Sequence, residues 1–181
     1  MNTAGIPLSA YQVIQGNVEC IGNQDGIADG RTFPAVYIFG QLAAALGLPL
    51  NDVISPVYYP FSFAVRRNER KEVRCPLVNI NGRYEIDYEL LEEMAGKPEN
   101  KLIIFCSPHN PVGRVWTRDE LERVGRICID NDVFIVSDEI HCDLIMPGYE
   151  HTVMANISRE LEGYTMTCIA PSKTFNLAGD V

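Results

Sequence analysis

The sequence lacks the features that define several classes of protein. No run approaches the roughly 18 consecutive apolar residues that a membrane-spanning helix requires. Basic residues are few, since 15 Lys and Arg stand against 24 Asp and Glu and give a net charge of −9. This balance disfavours a nucleic-acid partner, because affinity for the phosphate backbone comes from clustered Lys and Arg. Residues 1–10 lack a basic stretch followed by an apolar run, so we expect no signal peptide and no membrane partner.

The six cysteines lack the spacing of a zinc site or of a redox pair. They stand at positions 20, 75, 106, 128, 142 and 168, and no two are separated by two residues. Cys106 and Cys168 lie within apolar runs, where a free thiol behaves as a small hydrophobic side chain. We therefore expect reduced thiols, no bound metal and a cytoplasmic protein.

The composition is typical of a globular protein, because 46% of the 181 residues are hydrophobic and 22% are charged. Residues 1–52 form an atypical N-terminal segment, whose first part is rich in Gly, Asn and Gln without periodicity and indicates a loop. Within this segment, Pro34 and Gly47 bracket an Ala-rich apolar stretch that predicts a buried helix over 34–46.

From about residue 53, strand patterns alternate with helix patterns. Short apolar runs predict strands, and helical spacing predicts helices. The predicted strands are 52–55, 71–76, 101–106, 133–137 and 165–170, and the predicted helices are 61–68, 86–94 and one after Thr117. Asp87 is a candidate N-cap, and Thr117 with Glu120 forms a capping-box pattern. Strands separated by helices imply βαβ units, so we predict a three-layer α/β/α fold with a mostly parallel sheet.

Polar side chains follow three of the predicted strands, at the edge where α/β sheets bind their ligands. Asn110 follows the predicted strand 101–106, and Asp138 and His141 follow the strand 133–137. Ser172 and Lys173 follow the strand 165–170. Taken alone, Asp138 could be a helix cap and Lys173 a solvated charge. Three polar turns that converge on one edge favour a binding site instead.

This combination of residue types matches the requirements of pyridoxal 5'-phosphate (PLP). A lysine amine forms a Schiff base with the PLP aldehyde, and an acidic side chain pairs with the pyridinium nitrogen. An amide donates to the phenolic oxygen, and an aromatic side chain covers the ring. Hydroxyls and the N–H groups of a helix N-terminus hold the phosphate.

Four segments resemble the motifs of a known family: SPVYYPF, SPHNPVGRVW, SDEIHCDL and APSKTFNLAG. They are similar to motifs of fold-type I PLP-dependent enzymes, and more narrowly to the MalY/PatB-type cystathionine (cysteine-S-conjugate) β-lyases of the class I/II aminotransferase superfamily. The resemblance covers about residues 53–179. It implies that residues 53–181 form part of a PLP-binding large domain, and that the C-terminal small domain of the family is absent from this sequence.

The resemblance assigns a chemical role to four of the polar residues. Lys173 would form the Schiff base and, once freed by substrate, remove the α-proton. Asp138 would pair with the pyridinium nitrogen. Asn110 would donate to the phenolic oxygen, with His141 nearby. For His141, a structural histidine is the alternative, because a neutral imidazole also serves as a hydrogen-bonding group in a fold.

The same resemblance assigns three further residues to the cofactor. Tyr58 would stack on the ring, although a core aromatic is the alternative at this position. Ser172 would contact the phosphate, and Thr32 is the corresponding candidate in the N-terminal segment. No arginine can be nominated for the substrate carboxylate, which bidentate Arg recognition normally holds. We interpret Trp116 as a packing residue.

The implied reaction is β-elimination from an S-substituted cysteine, which gives a thiol, pyruvate and ammonia. Transamination begins with the same steps, so a PLP-dependent aminotransferase is the first alternative. A non-catalytic truncated remnant is the second. The local sequences VYYPF, SDEIH and SKTFN favour the lyase. By resemblance, the partner is an amino-acid substrate, and the full-length family forms homodimers.

Overall fold

A computed structural model describes residues 52–55, 61–62, 65–66 and 68–176, with the backbone alone for 52–55 and Ser172. The predicted helix at 34–46 and the candidate residues Thr32 and Tyr58 lie outside these residues.

A parallel sheet of five strands forms the centre of the described part. In chain order the strands are β1 (Asp52–Ser55), β2 (Glu72–Arg74), β3 (Val78–Ile80), β4 (Arg83–Glu85), β5 (Asn100–Cys106), β6 (Phe134–Asp138) and β7 (Thr165–Cys168). The sheet has the order β2-β1-β5-β6-β7, and every neighbouring pair is parallel. This arrangement confirms the predicted α/β fold. The strands predicted at 71–76 and 165–170 are shorter than expected, because pairing ends at Arg74 and Cys168.

Helices cover one face of the sheet, and a short helical segment packs on the other. The helices are α1 (Tyr88–Ala95), α2 (Arg118–Asp130), α3 (Arg159–Tyr164) and the single turn α4 (Pro171–Thr174). Leu91, Leu121 and Leu161 of the first three pack in one core cluster with side chains of β5 and β6. On the opposite face, Phe61 and Val65 pack in a second cluster with side chains of β5 and β6, among them Leu102 and Phe134. Such alternation follows from the two-residue period of a strand.

The predicted helix starts are confirmed by their capping bonds. The Asp87 side chain accepts a hydrogen bond from the Leu90 N–H, and α1 begins at Tyr88, directly after Asp87. At α2 the Thr117 hydroxyl accepts the Glu120 N–H, and the Glu120 carboxylate accepts the Thr117 N–H at 2.7 Å. Residues 61–62 and 65–66 are helical, but Asn68 lies in a turn, so the helix predicted over 61–68 ends earlier.

Replacing Thr117 with alanine is expected to lower the free energy of unfolding by about 1 kcal/mol. The variant loses the hydroxyl that accepts the Glu120 N–H and leaves one donor of the first turn without its side-chain partner. Urea denaturation followed by circular dichroism measures the change. Thr117→Ser, which keeps the hydroxyl, is the control, and an alanine variant as stable as the serine variant would contradict the capping role.

Four elements of the structure lie outside the predictions from sequence. Strands β3 and β4 pair as an antiparallel hairpin, and the helices α3 and α4 follow later in the chain. Asn81 and Gly82 form the hairpin turn with φ of 52° and 87°. Asn-Gly is the strongest short hairpin signal, because both residues tolerate a positive φ. It was missed because each strand has only three residues. Within the described ranges, no helix is long and apolar enough to cross a bilayer.

Candidate active site

The carboxyl ends of β5, β6 and β7 meet at one edge of the sheet, since these strands are adjacent and parallel. The register pairs Cys106 with Asp138, and Asp138 with Cys168. Beyond the strands, the Ser107 N–H donates to the Asp138 carbonyl at 2.9 Å, and the Glu139 N–H donates to the Cys168 carbonyl at 2.8 Å. Backbone hydrogen bonds therefore hold the segments that follow β5, β6 and β7 next to one another.

Asp138 is the last residue of β6, and its side chain is buried at this edge with 5% exposure. Its Oδ1 accepts the Ile140 N–H at 3.3 Å, and no described residue donates to Oδ2. Burial raises the pKa of the Asp138 carboxyl to about 6, and the neighbouring Glu139 carboxylate adds to this effect. The Ile140 N–H and the Lys173 ammonium act in the opposite direction. Asp138 is thus a buried carboxyl that can still accept a hydrogen bond.

Lys173 lies on the one-turn helix α4 and is exposed. Its ammonium lies near enough to Asp138 and His141 to lower the pKa of both side chains, although for His141 burial is the larger cause. The Thr174 hydroxyl donates to Asp143 at 2.6 Å. This bond ties the helix that carries Lys173 to the segment that carries His141.

Asn110 lies in a tight loop between β5 and α2. The His109 N–H donates to the Arg114 carbonyl and the Gly113 N–H to the His109 carbonyl, both at 2.8 Å. Gly113 has a φ of 70°, which explains a glycine at this turn. The Trp116 indole N–H donates to the Cys106 carbonyl at 2.9 Å and closes the base of the loop. Trp116 is also buried against Phe105, so the predicted packing role is confirmed.

A buried acidic side chain that was not predicted from sequence follows directly after Asp138. Glu139 is 1% exposed and accepts hydrogen bonds from the Ser137 hydroxyl and the Met154 N–H. Its second oxygen lies 2.8 Å from His151 Nε2. These contacts anchor both ends of the segment 139–154, within which His141 lies. No local pattern marks the pair, because its members are twelve positions apart.

His109 is a second buried residue that the sequence analysis did not single out. The ring is 5% exposed and stands edge-on to Trp116, with the ring centroids 6.1 Å apart. Burial lowers the pKa of His109 to about 4, so the ring is neutral at pH 7. His109 directly precedes Asn110 in the loop, so its buried ring anchors the loop beside Trp116.

The structure thus brings four of the seven predicted site residues to one edge: Asn110, Asp138, His141 and Lys173. Ser172 lies on α4, and its side chain is not described. Tyr58 and Thr32 lie outside the described residues. The predicted free thiols are confirmed for the five described cysteines. No group of metal-ligating side chains occurs in the part of the chain that the structure describes.

Comparison with known proteins identifies the class. The profile of the family "Aminotransferase class I and II" matches residues 52–180. Cystathionine β-lyase PatB of Bacillus subtilis is 46% identical over 68% of this chain and 32% of its own length. An aspartate aminotransferase of Bacillus sp. strain YM-2 is 34% identical over 71% of this chain and 33% of its own. Cystalysin from Treponema denticola, whose crystal structure contains PLP, is 50% identical with a TM-score of 0.70, over 71% of this chain and 33% of that one.

The chain belongs to the class I and II aminotransferases, a family of PLP-dependent enzymes with the fold-type I architecture. Within that family its relatives include cystathionine β-lyases and PLP-dependent C–S lyases as well as aminotransferases. The chain spans about a third of the length of the curated relatives it matches.

Proposed function

We propose that this chain forms the cofactor-facing part of a PLP-dependent carbon–sulfur β-lyase, which converts an S-substituted cysteine and water into a thiol, pyruvate and ammonia. The observation that carries the proposal is that the buried Asp138 carboxyl and Lys173 follow neighbouring parallel strands and so lie at the same end of the sheet. The 46% identity to a cystathionine β-lyase supports the lyase branch.

The side chains at the edge fit PLP. Asp138 is a buried carboxyl, and a carboxylate has acceptor capacity beyond the Ile140 N–H that Oδ1 accepts, as a bond from a pyridinium N–H requires. Lys173 is exposed on the neighbouring helix, where its amine is open to an aldehyde. When bound, PLP supplies a ring that accepts electrons from the reacting carbon. Asn110 lies on the other side of Asp138, where its amide is the candidate donor to the phenolic oxygen.

Each residue then has a definite task. Lys173 Nζ holds the cofactor and accepts the substrate α-proton. Asp138, as a carboxylate, keeps the proton on the pyridinium nitrogen, which maintains the positive charge of the ring. His141, with a pKa lowered mainly by burial, is a neutral hydrogen-bonding group beside Lys173. Tyr58 as the stacking ring, and Ser172 and Thr32 as phosphate contacts, complete the proposal.

The proposal includes a homodimer and a cytoplasmic location. Five large apolar side chains are exposed on segments that follow β6 and β7: Leu144, Met146, Tyr149, Ile169 and Phe175. Exposed apolar groups on neighbouring segments fit a surface that another subunit buries. The five free cysteines fit a reducing compartment, where thiols persist.

An aminotransferase is the second candidate, because a relative of that activity is 34% identical over a similar share of the chain. The two functions differ in their products, so we expect the purified chain with PLP and cystathionine to release pyruvate and a thiol. Pyruvate is measured with lactate dehydrogenase and the thiol with a disulfide dye, and the same mixture without PLP is the control. Formation of a new amino acid from an added 2-oxo acid, without thiol release, would support the aminotransferase instead.

A further inference from the structure

We propose that Cys106 is a positioning residue, whose thiol holds the main chain of Asn110 in place beside Asp138. The inference rests on the proposed function and adds to it the residue that sets the position of the amide-bearing loop. From sequence alone, Cys106 is expected to behave as a small hydrophobic side chain. The structure assigns it two polar contacts, both within the loop that carries Asn110.

The Cys106 thiol bridges the loop from inside. Its S–H donates to the Pro108 carbonyl at 3.3 Å, and its sulfur accepts the Asn110 N–H at 3.4 Å. One side chain therefore fixes two points of the main chain that are two residues apart. The thiol is 2% exposed, so water does not compete for these bonds.

Cys106 and Asp138 occupy paired positions on neighbouring strands, and parallel strands lie about 4.8 Å apart. A bond from Cys106 to Asn110 thus ties the loop to the strand position next to the buried carboxyl. The Trp116 indole N–H holds the Cys106 carbonyl at 2.9 Å, so the main chain of Cys106 is itself fixed.

The protonation state of the thiol agrees with both bonds. Burial and the nearby Asp138 carboxyl raise the pKa of Cys106 to about 12. The group therefore remains a thiol at pH 7 and can donate and accept together, whereas a thiolate could only accept. Cys128 is buried in the same way but lies on α2 within the helix-covered core. It provides a matched control for the loss of a buried sulfur.

The first test needs no cofactor and follows amide hydrogen exchange in the full chain by NMR. Cys106→Ala is expected to speed exchange of the Asn110 amide about two- to tenfold, the factor that one lost hydrogen bond implies. Cys106→Ser, whose hydroxyl can donate and accept, is expected to restore part of the protection. Cys128→Ala is expected to leave this amide unchanged. Equal exchange at Asn110 in Cys106→Ala and Cys128→Ala would overturn the proposal.

The second test follows the absorption band of added PLP against pH. Cys106→Ala is expected to shift the pH at which the absorbance of bound PLP has changed by half, and to weaken PLP binding about threefold or more. Cys128→Ala is expected to change neither quantity. If Cys106→Ala fails to fold, Cys106→Val replaces it, because valine fills the space but makes neither bond. A wild-type chain without a PLP band would refute the proposed function, and the exchange test alone would then decide the role of Cys106.

Discussion

Replacing Lys173 with alanine is expected to abolish the absorption band that PLP gains when it forms a Schiff base with the protein. The rate of pyruvate release is expected to fall by at least about a thousandfold. Under the proposed function, this amine both holds the cofactor and accepts the α-proton, so one substitution removes two tasks. Lys173 is exposed, so we expect the free energy of unfolding to change by less than about 0.5 kcal/mol. Loss of function without loss of stability is the distinguishing result.

Two variants control the lysine experiment. Lys97→Ala removes another lysine, which follows the end of α1 and forms a salt bridge with Glu93, and is expected to keep the band and the rate. Lys173→Arg keeps the positive charge beside Asp138 but lacks a primary amine, so it is expected to be as inactive as the alanine variant. Normal pyruvate release by either Lys173 variant would refute the assignment of this residue.

Replacing Asp138 with asparagine is expected to lower the lyase rate by at least about a hundredfold, while the protein becomes more stable near pH 8. The activity falls because an amide cannot supply the negative charge that keeps a pyridinium nitrogen protonated. Stability rises because the buried carboxylate, whose desolvation raises its pKa to about 6, is gone. The asparagine Oδ1 can still accept the Ile140 N–H.

The sign of the pH effect follows from the two pKa values of Asp138. The carboxyl has a pKa of about 6 in the folded chain, against an ordinary value of about 3.9 when unfolded. Between these pH values the folded chain binds more protons, so the wild type loses stability as the pH rises from about 4 to 6. The loss is about 3 kcal/mol. Asp138→Asn has no such carboxyl, so its free energy of unfolding increasingly exceeds that of the wild type as the pH rises from about 4 to 6. Above pH 6 the difference stays constant.

Urea unfolding at pH 4, 6 and 8 measures this difference, and Asp132→Asn is the matched control. Asp132 is exposed and pairs with Lys101 at the surface, so its replacement is expected to shift stability by less than about 1 kcal/mol without a comparable trend. A constant difference between Asp138→Asn and the wild type from pH 4 to 8 would show that burial does not raise the pKa of Asp138.

Much of the fold was predictable because its signals are local. The apolar run at 133–136 marks β6, and Thr117 with Glu120 marks the start of α2. The hairpin β3–β4 carries a local signal too, Asn81-Gly82, but three-residue strands give too little alternation to indicate a sheet. Helix α3 is also short, with six residues, and its Leu161 packs in the core cluster with side chains of α2. There a Cβ on Gly125 would meet Leu161 at 2.6 Å.

For the candidate site, sequence indicated the residue types and tertiary structure supplied their environments. Asp138 and Lys173 were predicted from the strands that precede them, since parallel strands deliver their following residues to one edge. The sequence could not show that Asp138 is buried, because burial depends on the strands on either side. It also gave no sign of the Glu139–His151 contact or of the bonds from Cys106 to its own loop.

The sequence by itself therefore determined the class of fold, the order of the five strands of the parallel sheet along the chain, and the identity of Asn110, Asp138 and Lys173 as polar groups at their carboxyl ends. These properties follow from hydrophobic periodicity and from motifs of neighbouring residues. Tertiary structure alone decided which carboxyl is desolvated, which histidines are buried and which thiol holds a loop. Each of these depends on contacts between residues on different elements. Desolvation and hydrogen bonding depend on which groups are close in space, whatever their separation in sequence.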